Sequence, residues 1–162
     1  MLALESRPIR TFEGHAAGRA LLKEMYESYT GLPMPRILIA QRGKPYFEEG
    51  NLHFSISHTK KHVFCVLSDK PVGIDAEELD RDISPALADK ILSPSERAQY
   101  DAAVDKKLTL LTFWVLKEAS AKCTGKGLFG YPNHTDFSLG DPRVRIYDSC
   151  LTAVIEEDAY AL

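Results

Sequence analysis

The chain has 162 residues, of which 44% are hydrophobic and 27% are charged, and its formal net charge is −3. This composition is typical of a soluble globular protein and excludes a broadly basic nucleic-acid-binding protein. The length allows one compact domain or two small halves that share a core. The apolar stretch Leu108–Leu116 is too short to span a bilayer, and the N-terminus lacks an apolar run of signal-peptide length. We therefore expect a cytoplasmic protein without a membrane partner.

The cysteine pattern supports the same expectation. Cys65, Cys123 and Cys150 are an odd number without CxxC spacing, and all three have apolar neighbours. This pattern favours small core residues in a reducing compartment over a disulfide framework or a zinc site.

The first half of the chain predicts one helix and two strands. No periodicity is evident over residues 1–13. Apolar spacing predicts a helix from His15 to Tyr29, which ends at Gly31. The run from Arg36 to Gln41 predicts a short buried strand, and Gly43-Lys44-Pro45 a turn. In the run from Leu52 to Thr59, apolar residues alternate with polar ones as far as Ser57, which predicts a half-buried strand.

The second half predicts strands, then helices, then strands. Val63–Leu67 and Val72–Ile74 are expected to form a hairpin. Two Ser-Pro pairs predict helix starts, and the second pair has Glu96 in the capping-box position. The further predicted elements are helices at 86–92 and 108–123 and strands at 144–147 and 151–155.

An internal repeat connects the two halves. Leu22-Lys23-Glu24 through Thr30-Gly31 aligns without a gap with Leu116-Lys117-Glu118 through Thr124-Gly125. Each copy is a predicted helix followed by strands, so the chain is either a duplicated helix-plus-sheet unit or shows a chance match between amphipathic helices. Duplication predicts two helix-plus-sheet halves that pack face to face.

Asp75 and Glu77 are the first candidates for chemistry. Residues i and i+2 of a strand point to the same side, so both carboxylates share one face after the apolar Val72-Gly73-Ile74. Mg²⁺ binds one or two carboxylates together with phosphate oxygens. The alternative is a solvated acidic turn, because Glu78 and further acidic residues continue the run.

Glu118 and Lys122 lie one helical turn apart on the predicted helix 108–123. A surface salt bridge is the simplest interpretation. However, Trp114 and other apolar neighbours indicate a largely buried helix, and buried charges need partners. A metal for Glu118 and a phosphate for Lys122 would supply them.

Other polar residues carry weaker signals. Ser57 and His58 are adjacent on a strand and therefore cannot form a nucleophile–base pair, but His58 at the strand end can donate to a phosphate. Lys44 and Arg19 are either anion contacts or solvated surface charges. Gly125 is a helix cap or part of a ligand-binding loop. Walker A, GxSxG and HExxH motifs are absent from the sequence.

Four segments taken together resemble a known family. GKP, FSISHT, VGIDAEEL and FWVLKEASAKCTGKGL, in this order, are similar to the 4'-phosphopantetheinyl transferase superfamily, in particular its Sfp-like branch, over about Arg19 to Leu128. The resemblance implies a holo-[acyl-carrier-protein] synthase type enzyme. Such an enzyme transfers the phosphopantetheine arm of coenzyme A to a serine of an apo acyl or peptidyl carrier protein, with Mg²⁺ as cofactor, and releases 3',5'-ADP.

The resemblance also implies residue roles and a fold. The Mg²⁺ ligands would be Asp75, Glu77 and Glu118, and the catalytic residues Glu118, Lys122 and His58. Coenzyme A contacts would be Arg19, Lys44, Ser57, His58 and Lys122. The fold would be α+β, a pseudo-twofold pair of similar helix-plus-antiparallel-sheet halves, 1–67 and 68–162, with coenzyme A between them.

Two departures from the family accompany these expectations. The chain is shorter than usual before Arg19, which raises the alternatives of a monomer or a homodimer that completes the cleft. Ser55 and Thr59 stand where asparagine and serine are commoner. The alternative functions are a non-catalytic module that binds coenzyme A or a carrier protein, and a magnesium-dependent pyrophosphate hydrolase.

Overall fold

Two units, each a helix packed on a three-stranded antiparallel sheet, make up the protein. The structure is a computed structural model that describes residues 2–10, 13–127 and 136–157. The elements of the first unit are β1 (Leu2–Pro8), α1 (Gly14–Thr30), β2 (Ile37–Ile39), β3 (Pro45–Phe47), β4 (His53–His58) and β5 (His62–Ser68). Those of the second are β6 (Val72–Glu78), a 3₁₀ turn (Pro85–Leu87), α2 (Ala88–Ile91), α3 (Pro94–Ala102), α4 (Lys106–Thr124), β7 (Val144–Tyr147) and β8 (Cys150–Glu156).

The two units have the same strand order. In the first sheet the order is β1-β5-β4, and in the second it is β6-β8-β7, with every neighbouring pair antiparallel. In both, the strand before the main helix pairs with the last strand of the unit. β2 and β3 form a separate two-stranded ribbon.

Three apolar clusters hold these layers together. α1 packs on one face of the first sheet through Leu21, Leu22 and Met25. α4 packs on the second sheet through Phe113, Leu116 and Ala119, among others. The third cluster lies between the sheets, where Phe64 and Val66 of β5 meet Val72, Ile74 and Ala76 of β6. Burial of these apolar side chains is the main stabilising contribution.

Most predicted elements are present. The predictions of α1, α4, β7 and β8 are confirmed to within two residues at each end, and Ser93 and Glu96 form the predicted capping box at the start of α3. The predicted helix 86–92 is a 3₁₀ turn that continues into α2. The cysteines are buried and free, as expected.

Three predictions are wrong. The expected hairpin of β5 and β6 does not form, because β5 pairs with β1 and β4 whereas β6 pairs with β8. β2 is not a buried strand, since it lies in the ribbon with Ile39 exposed. β4 is not half-buried, because its polar residues Ser55 and Ser57 face the second sheet and are buried.

β1 was not predicted because it has no clear alternation. Ala3 packs toward the α1 cluster and Leu4 toward the cluster between the sheets. Both faces of the strand are therefore partly covered, and the period-2 signal of a half-buried strand is lost.

Gly73 sets the distance between α4 and β6. A Cβ atom at this position would overlap the carbonyl oxygen of Ala119 and the backbone nitrogen of Cys123. The absence of a side chain therefore lets the helix backbone lie directly on the strand. The next residues on the same face of β6 are Asp75 and Glu77, so this close approach brings them beside α4.

Serine hydroxyls join the two sheets. Ser55 Oγ accepts a hydrogen bond from the backbone N–H of Ile74, and Ser57 Oγ accepts one from that of Ala76, both over 3.1 Å. These N–H groups lie on the edge of β6 that does not pair with β8. The hydroxyls thus satisfy a buried strand edge that backbone pairing leaves open.

Among the described helices, none combines the length and apolar character needed to cross a membrane.

Candidate active site

A cavity of about 730 Å³ lies where the two units meet, and all eight predicted site residues line it. The first unit contributes residues from α1, the β2–β3 turn and β4, and the second contributes residues from β6 and α4. The predicted residues in the wall are Arg19, Lys44, Ser57, His58, Asp75, Glu77, Glu118 and Lys122. The fold therefore brings together residues that lie up to about a hundred positions apart.

Asp75 is the most buried acid of the cavity, with 5% of its surface exposed. Its Oδ1 accepts from Lys122 Nζ over 2.7 Å and from Ser57 Oγ over 3.2 Å. Its Oδ2 is buried and has no hydrogen-bond partner among the described residues. Burial raises the pKa of the Asp75 carboxyl, while Lys122 and Ser57 act in the opposite direction.

Glu118 projects from α4 into the same cavity and is half-buried. Burial raises the pKa of its carboxyl, and the negative charge of Asp75 raises it further, whereas Lys122 and Arg81 lower it. A carboxyl with a raised pKa is a better proton acceptor at neutral pH than an ordinary one.

Glu77 is held by two side chains that sequence reasoning did not connect to it. Its Oε1 accepts from the Arg81 guanidinium and, over 3.0 Å, from the indole N–H of Trp114. The Arg81 guanidinium also lies 5.6 Å from the centre of the Trp114 ring. Since both donors bind Oε1, the other oxygen of Glu77 is left outside these bonds.

Lys122 does not pair with Glu118, its neighbour on the helix. The sequence places Glu118 one turn before it, but the structure pairs its ammonium group with Asp75 on β6. Its side chain is 32% exposed. This arrangement pairs the buried Asp75 carboxylate with a cation whose side chain is partly exposed.

The first unit supplies basic groups from three elements. Arg19 is exposed on α1, and His58 is exposed at the end of β4, where its ring contacts that of His15 edge to face at 5.2 Å. Lys44 on the β2–β3 turn donates to the carbonyl of Cys123 near the end of α4. Burial lowers the pKa of Lys44. The first unit therefore contributes basic side chains to the cavity that also contains the carboxylates.

A divalent cation fits the donor atoms only in part. Within residues 2–10, 13–127 and 136–157, no three His, Cys, Asp or Glu side chains lie close enough together to hold a metal ion. One observation nevertheless favours a cation at Asp75: its buried Oδ2 lacks a hydrogen-bond partner among the described residues. Carboxylate oxygens are the ligands that Mg²⁺ prefers.

Sequence reasoning missed several residues that line the cavity or contact its lining residues. His15 and Arg42 line the cavity although neither was given a role. Trp114 was treated only as a sign of burial, and Arg81 was not considered. The four-residue spacing of Glu77 and Arg81 was the available signal, but Glu77 lies at the end of β6 and Arg81 in the loop that follows, where the helix rule does not apply.

A buried ion pair fixes α4 next to the site. Lys117 Nζ lies 2.9 Å from Glu96 Oε2, and the two side chains are 4% and 0% exposed. The same Glu96 carboxylate accepts from the backbone N–H groups of Ser93 and Phe137 over 2.9 Å each. α4 is thereby tied to the start of α3 and to the segment before β7.

Comparison with known sequences identifies the family. The family model of the 4'-phosphopantetheinyl transferase superfamily matches residues 71–159, more than half of the chain. The chain belongs to this superfamily, which confirms the prediction made from its motifs. The matched range contains Asp75, Glu77, Glu118 and Lys122.

Individual relatives carry the same name. The chain is 34% identical over 124 residues to 4'-phosphopantetheinyl transferase psf-1 of Bacillus pumilus. This match covers 74% of the chain and 51% of the relative. It is 30% identical over 122 residues to Sfp of Bacillus subtilis, covering 74% and 53%. It is 38% identical over 114 residues to AcpT of Escherichia coli (strain K12), covering 67% and 56%. The chain thus spans about half the length of the curated relatives it matches.

Proposed function

We propose that the protein transfers the 4'-phosphopantetheine group of coenzyme A to a serine of an apo acyl or peptidyl carrier protein and releases 3',5'-ADP. Membership of the superfamily supports this class of reaction. The observation that carries the proposal is the cavity between the two units, which pairs a basic wall with an acidic one. A pyrophosphate bound to metal needs both kinds of group.

The basic wall binds coenzyme A in this proposal. Arg19, Lys44 and His58 offer positive charge or N–H donors to the phosphates of the nucleotide. His15 and Arg42 extend the same wall. Transfer of a phosphoryl-type group depends mainly on positioning the reactants and on neutralising the charge of the phosphates. Basic side chains at fixed positions are therefore expected in the site.

The acidic wall would hold Mg²⁺ through Asp75 and Glu118, with the free oxygen of Glu77 as the third protein ligand. Bound there together with the pyrophosphate, the ion would neutralise charge as the bond to the leaving 3',5'-ADP breaks. Lys122 lies on Asp75 and adds a donor directed at the same region.

Glu118 is the base in this scheme. The carrier serine attacks the phosphorus next to the pantetheine, the new Oγ–P bond forms, and the P–O bond to 3',5'-ADP breaks. The serine proton goes to the Glu118 carboxylate, directly or through water. The position of Glu118 in the same cavity as Asp75 and Lys122 supports the assignment. The serine belongs to the partner, so the chain needs no nucleophile of its own.

In this proposal, the carrier protein reaches the active site through a second cavity. It measures about 900 Å³ and shares His15, His58 and Glu77 with the first. Its remaining wall includes Lys60 and Lys61 of the β4–β5 turn. A carrier serine that entered here would approach the pyrophosphate from the side of Glu77.

The two units support a further part of the proposal, a pseudo-twofold relation between halves 1–67 and 68–162. Both units have the same order of strands and helix, and the repeated Leu-Lys-Glu motif occurs at matching places in α1 and α4. Cytoplasmic location and the choice between monomer and homodimer stay predictions.

Mass spectrometry of the carrier protein tests the function. The protein is incubated with coenzyme A, Mg²⁺ and an apo-carrier protein, using one fatty-acid carrier and one peptidyl carrier in separate reactions. We expect at least one carrier to gain the mass of a phosphopantetheine group, in step with release of 3',5'-ADP. EDTA and omission of coenzyme A are the controls.

Other results identify the alternatives. Bound coenzyme A with unlabelled carriers would indicate a non-catalytic binding module. Released 3',5'-ADP without labelled carrier would indicate a pyrophosphate hydrolase. Either result would overturn the transferase proposal.

A further inference from the structure

His58 lies in the wall that the two cavities share, at the exposed end of β4. In the proposed function its ring donates to a phosphate of coenzyme A. A donor contributes to binding and positioning only while it points in the required direction. An exposed side chain has several rotamers open to it, so the ring needs neighbours that fix its orientation.

The start of α1 supplies these neighbours. A Cβ atom at Gly14 would lie 2.6 Å from Cγ and from Nδ1 of His58, and 3.0 Å from Cδ2. The helix backbone therefore lies directly on the half of the imidazole ring that is nearest β4, and Nε2 is not among the three closest atoms. The His15 ring contacts the same imidazole edge to face, with the ring centres 5.2 Å apart.

We propose that Gly14 is a positioning residue, whose lack of a side chain lets α1 hold the His58 ring in the wall between the two cavities. The inference rests on the proposed function, because it concerns the orientation of a coenzyme A contact in that proposal. Cγ of His58 is bonded directly to its Cβ, so the ring must rotate about χ1 to avoid a methyl group at position 14. Staggered χ1 rotamers differ by about 120°, so Nε2 would leave its present position.

The backbone at Gly14 does not itself require glycine. Gly14 is the first residue of α1, and its φ is not among the positive values found at other described glycines. Alanine fits such a backbone and has the higher helix propensity. Because His58 is exposed, its displaced ring can turn into solvent. Gly14→Ala should therefore misplace the ring without lowering the stability of the fold.

Gly18 provides a matched control on the same face of α1. A Cβ atom there would lie 2.7 Å from a methyl group of Ile56, which precedes His58 by two residues on β4. The three atoms nearest to that Cβ include no atom of His58. Gly18→Ala therefore adds the same methyl group between the same helix and strand but leaves the ring contact intact.

Binding of coenzyme A in EDTA, measured by calorimetry, tests the inference with a double-mutant cycle. The proteins are the wild type, Gly14→Ala, His58→Ala, the double variant and Gly18→Ala. We expect Gly14→Ala and His58→Ala each to weaken binding by about 10-fold, the size of a lost hydrogen bond to a charged group. Gly14→Ala should have no further effect once His58 is absent. Gly18→Ala should bind like the wild type.

Two further measurements separate positioning from a structural role. The NMR signals of the His58 imidazole in the ligand-free protein, identified by their loss in His58→Ala, should shift in Gly14→Ala and not in Gly18→Ala. The urea midpoint of Gly14→Ala should equal or exceed that of the wild type. Gly14→Ser carries the same Cβ atom and covers the case in which Gly14→Ala is insoluble.

If His58→Ala weakens binding, three results would overturn the inference. They are an unchanged coenzyme A affinity in Gly14→Ala, an equal loss in Gly18→Ala, and a loss from Gly14→Ala that persists in the absence of His58.

Failure of the proposed function gives a different pattern. If His58→Ala binds coenzyme A like the wild type, His58 is not the contact proposed above, and the imidazole signals decide the inference. Unshifted signals in Gly14→Ala would then overturn it, and shifted signals would support it. A wild type that binds coenzyme A but labels no carrier would refute the transferase proposal and leave the Gly14 result standing.

Discussion

The helices α1 and α4 share a local sequence but not the surroundings of their charged residues. Both end in the same way, because Thr30 and Thr124 donate to the carbonyl four residues earlier and a glycine follows in the left-handed conformation. The φ angles of these glycines, Gly31 and Gly125, are 69° and 70°. The repeated motif thus determines where each helix stops.

The charged positions of the motif have different roles in the two units. In α1, Lys23 and Glu24 are exposed, and Glu24 forms a surface ion pair with Arg7 at 2.6 Å. In α4, Lys117 is buried against Glu96, and Glu118 faces the cavity. The same three-residue motif therefore lies on a solvated face in one unit and at the candidate site in the other. Tertiary packing, not local sequence, separates the two.

The largest effect on the transfer rate is expected when each of the two glutamates is replaced by glutamine in a separate variant. Glu118→Gln removes the proposed base and a metal ligand, so we expect the transfer rate to fall by about 10²- to 10⁴-fold. Glu24→Gln, at the equivalent position of α1, breaks only a surface pair and should leave the rate unchanged. Carrier labelling by mass spectrometry measures both. Equal rates in the two variants would remove Glu118 from the mechanism.

The two lysines of the motif should differ in stability. Lys117→Met leaves Glu96 buried without its cation, which should lower the free energy of unfolding by about 3–5 kcal/mol. Lys23→Met breaks an exposed i,i+4 pair with Glu27 worth about 0.2–0.5 kcal/mol. Urea unfolding followed by circular dichroism gives both values. A small loss in Lys117→Met would mean that Glu96 finds other partners.

A methyl group added between each helix and its sheet tests how closely the two must approach. Gly73→Ala forces α4 away from β6, because the obstruction is helix backbone, and should cost about 1–3 kcal/mol of stability. In Gly18→Ala the added Cβ would lie 2.7 Å from a methyl of Ile56, a side chain that can turn, so the cost should be smaller. Thermal unfolding ranks the two. The reverse order would contradict the role given to Gly73.

The smallest effect concerns the pH dependence of stability in EDTA. Burial raises the pKa of Asp75 and Glu118, so the folded state binds protons more tightly than the unfolded state. Stability should therefore fall as pH rises from the ordinary carboxyl range through the raised values. Lys122→Met removes a charge that lowers both pKa values, and the fall should extend to higher pH. Urea midpoints between pH 4 and 8 (about every half unit) would show it. A profile identical to that of the wild type would mean that Lys122 does not act on these groups.

Much of the site was predictable because its residues occur in short, regular motifs. The two-residue spacing of Asp75 and Glu77 put both on the α4 face of β6, and the four-residue spacing of Glu118 and Lys122 put both on the cavity side of α4. The roles of these residues stay proposals, but their meeting in one cavity follows from strand and helix periodicity.

Partners across the chain were not predictable in the same way. The bond of Lys122 to Asp75 and that of Trp114 to Glu77 join residues 47 and 37 positions apart. Such pairs depend on which strands become neighbours, and the hairpin expected between β5 and β6 gave the wrong neighbours. The burial of Ser55 and Ser57 was missed for the same reason, since alternation cannot tell solvent from a second sheet.

The position of Trp114 gives the protein an intrinsic optical probe. It is the only tryptophan of the chain, and its indole N–H donates directly to Glu77 in the cavity wall. Indole fluorescence responds to hydrogen bonding and to nearby charge. Loading of the acidic wall should therefore alter the emission of the unlabelled protein, and ligand binding can be titrated without a dye.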